Sequence, residues 1–154
     1  WNNKPLQAHL LRLQNEHDQR VNILLFSMWL ATQDKTLEHH LTEAESYTRE
    51  WHLKVVSPLR EARTCLPTKE QFSPLKQRLQ KSELEAEQFE QALLYKFSLS
   101  ISPDKGNQYS SVEKLILSLS ASKLAKSDLF LLVKLNFPAL TESMVSEFFD
   151  RLIT

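Results

Sequence analysis

The chain has 154 residues, of which 42% are apolar and 25% charged, a balance typical of a globular protein rather than of a disordered one. Its 19 basic and 19 acidic residues cancel, so it lacks the basic surface that drives nucleic-acid binding, and we expect no nucleic-acid partner. The single glycine, Gly106, excludes glycine-rich phosphate loops and disfavours sheets that need glycine in their turns.

Two helices are predicted before residue 34. Residues 5–14 place leucines at helical spacing behind Pro5, which suits a first helical turn. Asp18 can cap a second helix over residues 20–33, whose sequence VNILLFSMWLA is apolar nearly all round. We therefore expect this helix to be the central buried element. It is far shorter than the roughly 20 apolar residues that span a bilayer, so we expect no membrane span.

A long third helix is predicted from a cap at Thr36 to about Leu66, because apolar residues recur along one stripe. Pro58 falls inside this pattern and should kink or split the helix near Val56 and Ser57.

A fourth helix is predicted after Pro67, where Thr68 and Gln71 can form a capping box. We expect its buried stripe to be apolar. The stripe consists of Phe72, Leu75, Leu79, Ala86, Phe89, Leu93 and Phe97.

Three further helices are predicted towards the C-terminus. Ser110 with Glu113 forms a second capping box, Ser127 can cap the next helix, and Thr141 begins the last. In that last helix, we expect four residues to face inward: Met144, Val145, Phe148 and Leu152.

The elements together predict an all-α fold, an irregular bundle of about seven helices around the central apolar helix over residues 20–33. We expect a single helical domain over residues 1–154. Because the chain starts at Trp1 rather than Met, we also expect that a short native N-terminal helix is missing, which would leave an apolar groove.

The histidines and the cysteine do not form a recognisable catalytic or metal-binding motif. No histidine follows a glutamate by three residues, as di-iron helical bundles require. His39 and Glu43 share a helical face, and we interpret them as a solvated pair rather than as metal ligands. Cys65 ends an apolar stripe and is expected to be buried and structural. We predict no catalytic residue, no metal site and no cofactor.

One set of residues suggests a binding site. Asn22 and Trp29 lie on the apolar helix, and with Trp51 they would line a pocket. Arg60 and Arg63 share one helical face, where they could together bind a carboxylate or a phosphate. The alternative is structural, with Asn22 satisfying backbone groups nearby and Ser27 bonding back to its own helix.

Two segments carry a resemblance to a known family. RVNILLFSMWLA (20–31) and REWHLKVVSPLREARTCL (49–66), followed by SELEAEQFEQALL (82–94), resemble a proteobacterial family of conserved hypothetical proteins, domain of unknown function 2390. The resemblance covers roughly the first two-thirds of the chain, and residues 98–154 carry no recognised signature. It marks seven positions: Asn22, Trp29, Trp51, Pro58, Leu59, Arg60 and Arg63. It implies a bacterial, cytoplasmic helical domain but no activity.

Three functions follow as hypotheses. The first is a non-enzymatic cytoplasmic module that binds another protein, or its own copy as a homo-oligomer, through apolar surface left outside the core. The second is binding of a small acidic metabolite or lipid-like ligand near Arg60, Arg63 and Trp51. The third is an enzyme with an unrecognised helical active site.

Overall fold

Helices make up most of the computed structural model, which describes residues 3–33, 35, 37, 40–102, 109–120 and 124–153. In chain order they are α1 Lys4–His17, α2 Val21–Thr32, α3 Leu41–Trp51, a π-helical turn His52–Val56, α4 Ser57–Cys65, a 3₁₀ turn Glu70–Phe72, α5 Ser73–Ser98, α6 Ser111–Ser120, α7 Lys126–Asn136 and α8 Glu142–Leu152. If α3, the π turn and α4 count as one continuous helix, the described residues form seven helical segments and no strand, and the all-α prediction is confirmed.

The chain divides into two compact units. The first unit consists of Trp1–Leu41 together with Ile101–Thr154, and the second consists of Thr42–Ser100. Both ends of the chain therefore contribute to the first unit, and the second is built from consecutive residues between them. The single domain over residues 1–154 stays a prediction.

Helices α2 and α6 form the centre of the first unit. The predicted apolar helix is confirmed in α2, where eight residues are buried, and α6 also buries eight. These two helices pack on each other more extensively than any other pair, and α1, α7 and α8 complete the core. The hydroxyl of Ser27 donates to the carbonyl of Ile23 at 3.0 Å, as the structural interpretation of that residue predicts.

Two predicted N-caps of the first unit are wrong. Asp18 ends α1 rather than starting α2; it adopts a left-handed conformation with φ of 50°, and its backbone N–H bonds to the carbonyl of Leu13. Aspartate tolerates this conformation better than most residues, and α2 follows Arg20 without a side-chain cap. Ser127 lies inside α7, which begins after Ala125.

The other two caps of this unit are confirmed. Ser110 and Glu113 form a reciprocal capping box, with N···O distances of 2.6 and 3.4 Å. Thr141 accepts a hydrogen bond from the backbone of Met144 at 3.2 Å.

The inward face of α8 differs from the prediction. Val145 is buried as expected, but Met144 is exposed, Phe148 and Leu152 are only partly buried, and Phe149 is the second buried residue of the helix. The buried side of α8 therefore centres on Val145 and Phe149, not on the side that includes Met144. The sequence pattern does not distinguish these sides, because apolar residues lie on both sides of Val145.

In the second unit the residues before Pro58 form a π-helical turn, and the helix is not split there as the alternative to a kink had predicted. The backbone N–H of Ser57 bonds to the carbonyl of His52, five residues back instead of four. Proline cannot donate an N–H, and its ring clashes with the carbonyl four residues earlier. The wider π turn accommodates both effects and lets the helix continue as α4. The predicted cap of the third helix, Thr36, lies outside the described residues.

Helix α5 differs from its prediction at both its start and its buried side. The helix begins at Ser73 after the 3₁₀ turn, so the capping box at Thr68 is wrong. Of the predicted apolar stripe, only Ala86 is fully buried. The buried positions of α5 are Glu83, Ala86, Glu90, Leu94 and Ser98, so charged residues occupy much of the side expected to be apolar.

Candidate interaction face of the second unit

The inner side of the second unit is held by ion pairs between α4 and α5. Nε of Arg60 lies 2.9 Å from Oε1 of Glu83, and its Nη2 lies 2.7 Å from Oε1 of Glu87. Arg63 forms a second pair with Glu83 through its Nε. The Glu83 carboxylate thus accepts from two guanidinium groups, an arrangement that compensates the cost of burying its charge.

The pKa values of Glu83 and Glu87 are shifted in opposite directions. Burial would raise the pKa of Glu83, but hydrogen bonds and positive charge from Arg63 and Arg60 outweigh it and hold the pKa below its ordinary value. The pKa of Glu87 is raised, because burial and the negative charges of Glu83 and Glu90 outweigh the hydrogen bond and charge of Arg60. The cluster therefore stabilises the ionised form of Glu83 more than that of Glu87.

A third pair joins the π turn to α5. Nδ1 of His52, the first residue of the turn, lies 2.9 Å from Oε1 of Glu90. Glu90 is only 1% exposed. The polar contacts from Arg63 to His52 form only when particular residues of the helices face each other. They therefore favour one register of the helices, a role that buried polar groups can have.

Aromatic side chains lie at the edge of this polar interior. The indole Nε1 of Trp51 donates to the carbonyl of Ala86 at 2.8 Å. Its ring lies 5.7 Å from the ring of Phe89, and Tyr47 and Phe97 form a second pair at 5.7 Å. Phe89 is 64% exposed and Tyr47 45% exposed. We call these four residues, Tyr47, Trp51, Phe89 and Phe97, the aromatic face.

The second unit buries charged residues and exposes large apolar ones, whereas packed helices usually do the reverse. Two glutamates of α5 are buried, whereas seven large apolar or aromatic side chains of the unit are exposed: Tyr47, Leu53, Leu75, Leu84, Phe89, Tyr95 and Leu99. Lone exposed apolar residues are ordinary, but rings in mutual contact form a patch, and apolar patches mark interaction sites.

The family comparison places these residues in context. A family model described as "Protein of unknown function (DUF2390)" matches residues 1–94, well over half of the chain. The chain belongs to this family. No curated protein and no solved structure gives a significant match. The matched segment of the DUF2390 family includes Tyr47, Trp51 and Phe89 and ends within α5, before Phe97.

The candidate site residues are divided between the two units. Trp51, Arg60 and Arg63 lie in the second unit, where they contact α5 as described above. Asn22 and Trp29 lie in the first unit, on α2. Asn22 is buried, and Trp29 is exposed and stacks on Phe26 with ring centroids 6.1 Å apart.

The acidic partners of the arginines were missed at the sequence level. Glu83, Glu87 and Glu90 recur at three- and four-residue spacing, which places them on one side of a helix. Arg60 and Arg63 have the same three-residue spacing, so the two sets can face each other, whereas the sequence pattern predicts that the arginines bind an outside anion.

Two remaining predictions concern Cys65 and His39. Cys65 is exposed at the end of α4, so its assignment as a buried structural residue is wrong. His39 lies outside the described residues, and with it the His39–Glu43 pair. Within the described part of the chain, no group of three or more side chains is arranged to hold a metal ion.

A helix crosses a bilayer only if it is both long enough and apolar enough. Over the described ranges, none of the helices combines the length and the apolar character that crossing a bilayer requires.

Proposed function

We propose that this protein is a non-enzymatic, cytoplasmic helical module of bacteria that binds another protein through the aromatic face. The observation that carries the proposal is the exposure of Phe89, in ring contact with Trp51, in a unit that buries Glu83 and Glu90. A partner that covers Phe89 would remove apolar area from water, which stabilises a complex by about 1.5–3 kcal/mol for a fully buried side chain of this kind.

The aromatic face is pre-organised for such an encounter. The hydrogen bond from Trp51 to Ala86 fixes the indole, and the indole supports the ring of Phe89. A ring that is already ordered loses little entropy on binding, and aromatic anchors of this kind dominate the energetics of protein interfaces. Because the face runs along two helices, we propose an amphipathic helix of the partner as the segment that binds.

The geometry gives less support to the acidic-ligand hypothesis. The guanidinium groups of Arg60 and Arg63 already bind Glu83 and Glu87. A small acid would have to displace these carboxylates and leave them buried without partners, which is costly. No arrangement of described residues favours the third hypothesis, a helical active site.

Paired affinity capture tests the proposal. The wild-type chain and a Phe89→Ser variant are used to capture proteins from a lysate of the native source, and the captured proteins are quantified by mass spectrometry. Leu11→Ser is the matched control, because Leu11 is similarly exposed but lies in the first unit. We expect a stoichiometric partner that the Phe89 variant loses and the Leu11 variant keeps. Equal capture by all three chains would contradict the proposal.

A further inference from the structure

The outer side of α5 carries a row of exposed residues with little charge. Seven positions, spaced by four, three, four, four, three and four residues, lie along one line of the helix. They are Ser73, Gln77, Gln80, Leu84, Gln88, Gln91 and Tyr95, all exposed. We call them the outer stripe. Leu84 and Phe89 lie about 140° apart around α5, since successive residues turn by about 100°. The outer stripe is therefore separate from the aromatic face.

The outer stripe is nearly symmetric about Leu84. Gln80 and Gln88 lie four residues on either side of it, and Gln77 and Gln91 lie seven residues on either side. If a second copy of α5 packs antiparallel with Leu84 against Leu84, each glutamine lies opposite a glutamine. We propose that the outer stripe binds a second copy of this chain in this register.

The chemistry of the outer stripe suits self-pairing. A glutamine amide both donates and accepts hydrogen bonds, so two identical amides are complementary to each other. A two-fold contact requires this kind of self-complementarity, because the same surface serves both partners. Leu84 at the two-fold axis supplies the apolar centre. Since its neighbours are polar, we expect a dimer that forms and dissociates with concentration.

Charged neighbours of the outer stripe favour the antiparallel arrangement. Lys81 and Glu85 are both exposed on the same flank of the stripe. In the antiparallel register each Lys81 lies about 3 Å along the axis from Glu85 of the second copy, from a rise of about 1.5 Å per residue. Two symmetric ion pairs result. In a parallel pair in register, the same flank of the two copies lies on opposite sides of the contact, so Lys81 and Glu85 could not pair in this way.

Disulfide trapping tests the register. The only cysteine, Cys65, is first replaced by serine, and single cysteines are then introduced and oxidised at micromolar protein concentration. Leu84→Cys places two thiols at the two-fold axis, within the Cα separation of about 7 Å that a disulfide tolerates. We expect at least about tenfold more covalent dimer than from Leu11→Cys, because pairing raises the local thiol concentration.

A mixture of two variants identifies the direction of the helices. Gln77→Cys and Gln91→Cys should each crosslink poorly alone and well when mixed. Crosslinking of each variant with itself would indicate a parallel pair and overturn the proposal. Equal crosslinking of Leu84→Cys and Leu11→Cys would overturn it as well.

Exchanging the charges of Lys81 and Glu85 tests the dimer independently, with sedimentation equilibrium as the measure of its dissociation constant. Lys81→Glu should weaken the dimer roughly fivefold to tenfold, and Lys81→Glu combined with Glu85→Lys should restore it, since the pairs re-form with reversed polarity. A wild-type chain that stays monomeric up to high micromolar concentration would contradict the proposal. So would a double variant no tighter than Lys81→Glu, since the restored pairs would then contribute nothing.

Discussion

Nε of Arg60 lies 2.9 Å from Oε1 of Glu83, a residue 23 positions further along the chain. Arg63 reaches the other oxygen of the same carboxylate. The side chain of Glu83 is almost fully buried, and both arginine side chains are mostly buried. The loss of Arg63 would leave the buried carboxylate of Glu83 with only part of its compensation, from Arg60, and we therefore expect the second unit to be sensitive to it.

Replacing Arg63 by alanine should therefore destabilise the second unit by about 1.5–3 kcal/mol, the usual contribution of a hydrogen bond between charged groups, because Arg60 still pairs with Glu83. Glu83→Ala should be destabilising too, and the double variant should cost less than the sum of the two single changes. Urea unfolding monitored by circular dichroism measures the cycle. Lys54→Ala is the control, because the Lys54–Glu50 pair is exposed; we expect it to unfold like the wild type. Additive single effects would show that the pair is not coupled.

Stability should depend on pH through His9. Burial and the charge of Arg12 lower the pKa of His9, against the opposing effect of Asp128. The folded state therefore binds the proton less readily than the unfolded state, whose histidine titrates near 6.5. Stability is fully present above that value and is lost as pH falls from about 6.5 towards the folded pKa.

The structure explains why protonation is unfavourable there. Nδ1 of His9 lies 3.2 Å from Nη2 of Arg12, which can only donate, so the ring must accept through this nitrogen. Unfolding free energies of the wild type and His9→Gln, measured from pH 8 to pH 5.5, test the prediction. The wild type should lose stability over this interval and the variant should lose less. Parallel curves would contradict it. The pKa of Glu113 is lowered, so this residue changes the stability only below about pH 4.5, outside the measured interval.

The capping box at the start of α6 should contribute measurably to the first unit. Ser110→Ala removes the side-chain acceptor at the cap and should cost about 1 kcal/mol, because a backbone N–H of the first turn loses its partner. Ser111→Ala is the matched control, since Ser111 is exposed and lies one residue inside the helix. Chemical unfolding measures both. Equal stability of the two variants would show that the cap is not significant.

The segment matched by the family model should not be sufficient for the first unit. A fragment that ends at Leu94 lacks α6, α7 and α8, which cover the buried side of α2. We expect this fragment to expose the apolar surface of α2 and to aggregate, whereas a chain that ends at Ile153 unfolds cooperatively. Size-exclusion chromatography and thermal unfolding distinguish them. A monomeric fragment with a cooperative transition would contradict this assignment of the core.

Local sequence signals predicted the first unit better than the second. The apolar run of α2 and the box at Ser110 and Glu113 depend on neighbouring residues, so a sequence pattern contains the information. Asp18 shows the limit of such signals, because the same residue type suits the start of one helix and the end of another. Here the residue takes the left-handed conformation that ends α1.

The second unit depends on pairing between distant residues. The sequence pattern placed the apolar stripe of α5 inside, but the arginines of α4 select Glu83 and Glu87 as the residues that face them. This selection rotates α5 and moves Phe89 outward. A hydrophobic pattern on one helix cannot reveal it, because the deciding charges belong to another. The exposed aromatic face could therefore be found only in the structure.

The most direct test of the proposed function places a photocrosslinking amino acid, p-benzoylphenylalanine, at position 89 in cells of the native source. The same amino acid at position 11 serves as the reference. We predict that irradiation joins position 89 to one protein in high yield, that position 11 does not capture this protein, and that its crosslinked peptide is an amphipathic helix. An uncrosslinked chain at position 89, or the same captured proteins at both positions, would contradict the account that the aromatic face binds a protein partner.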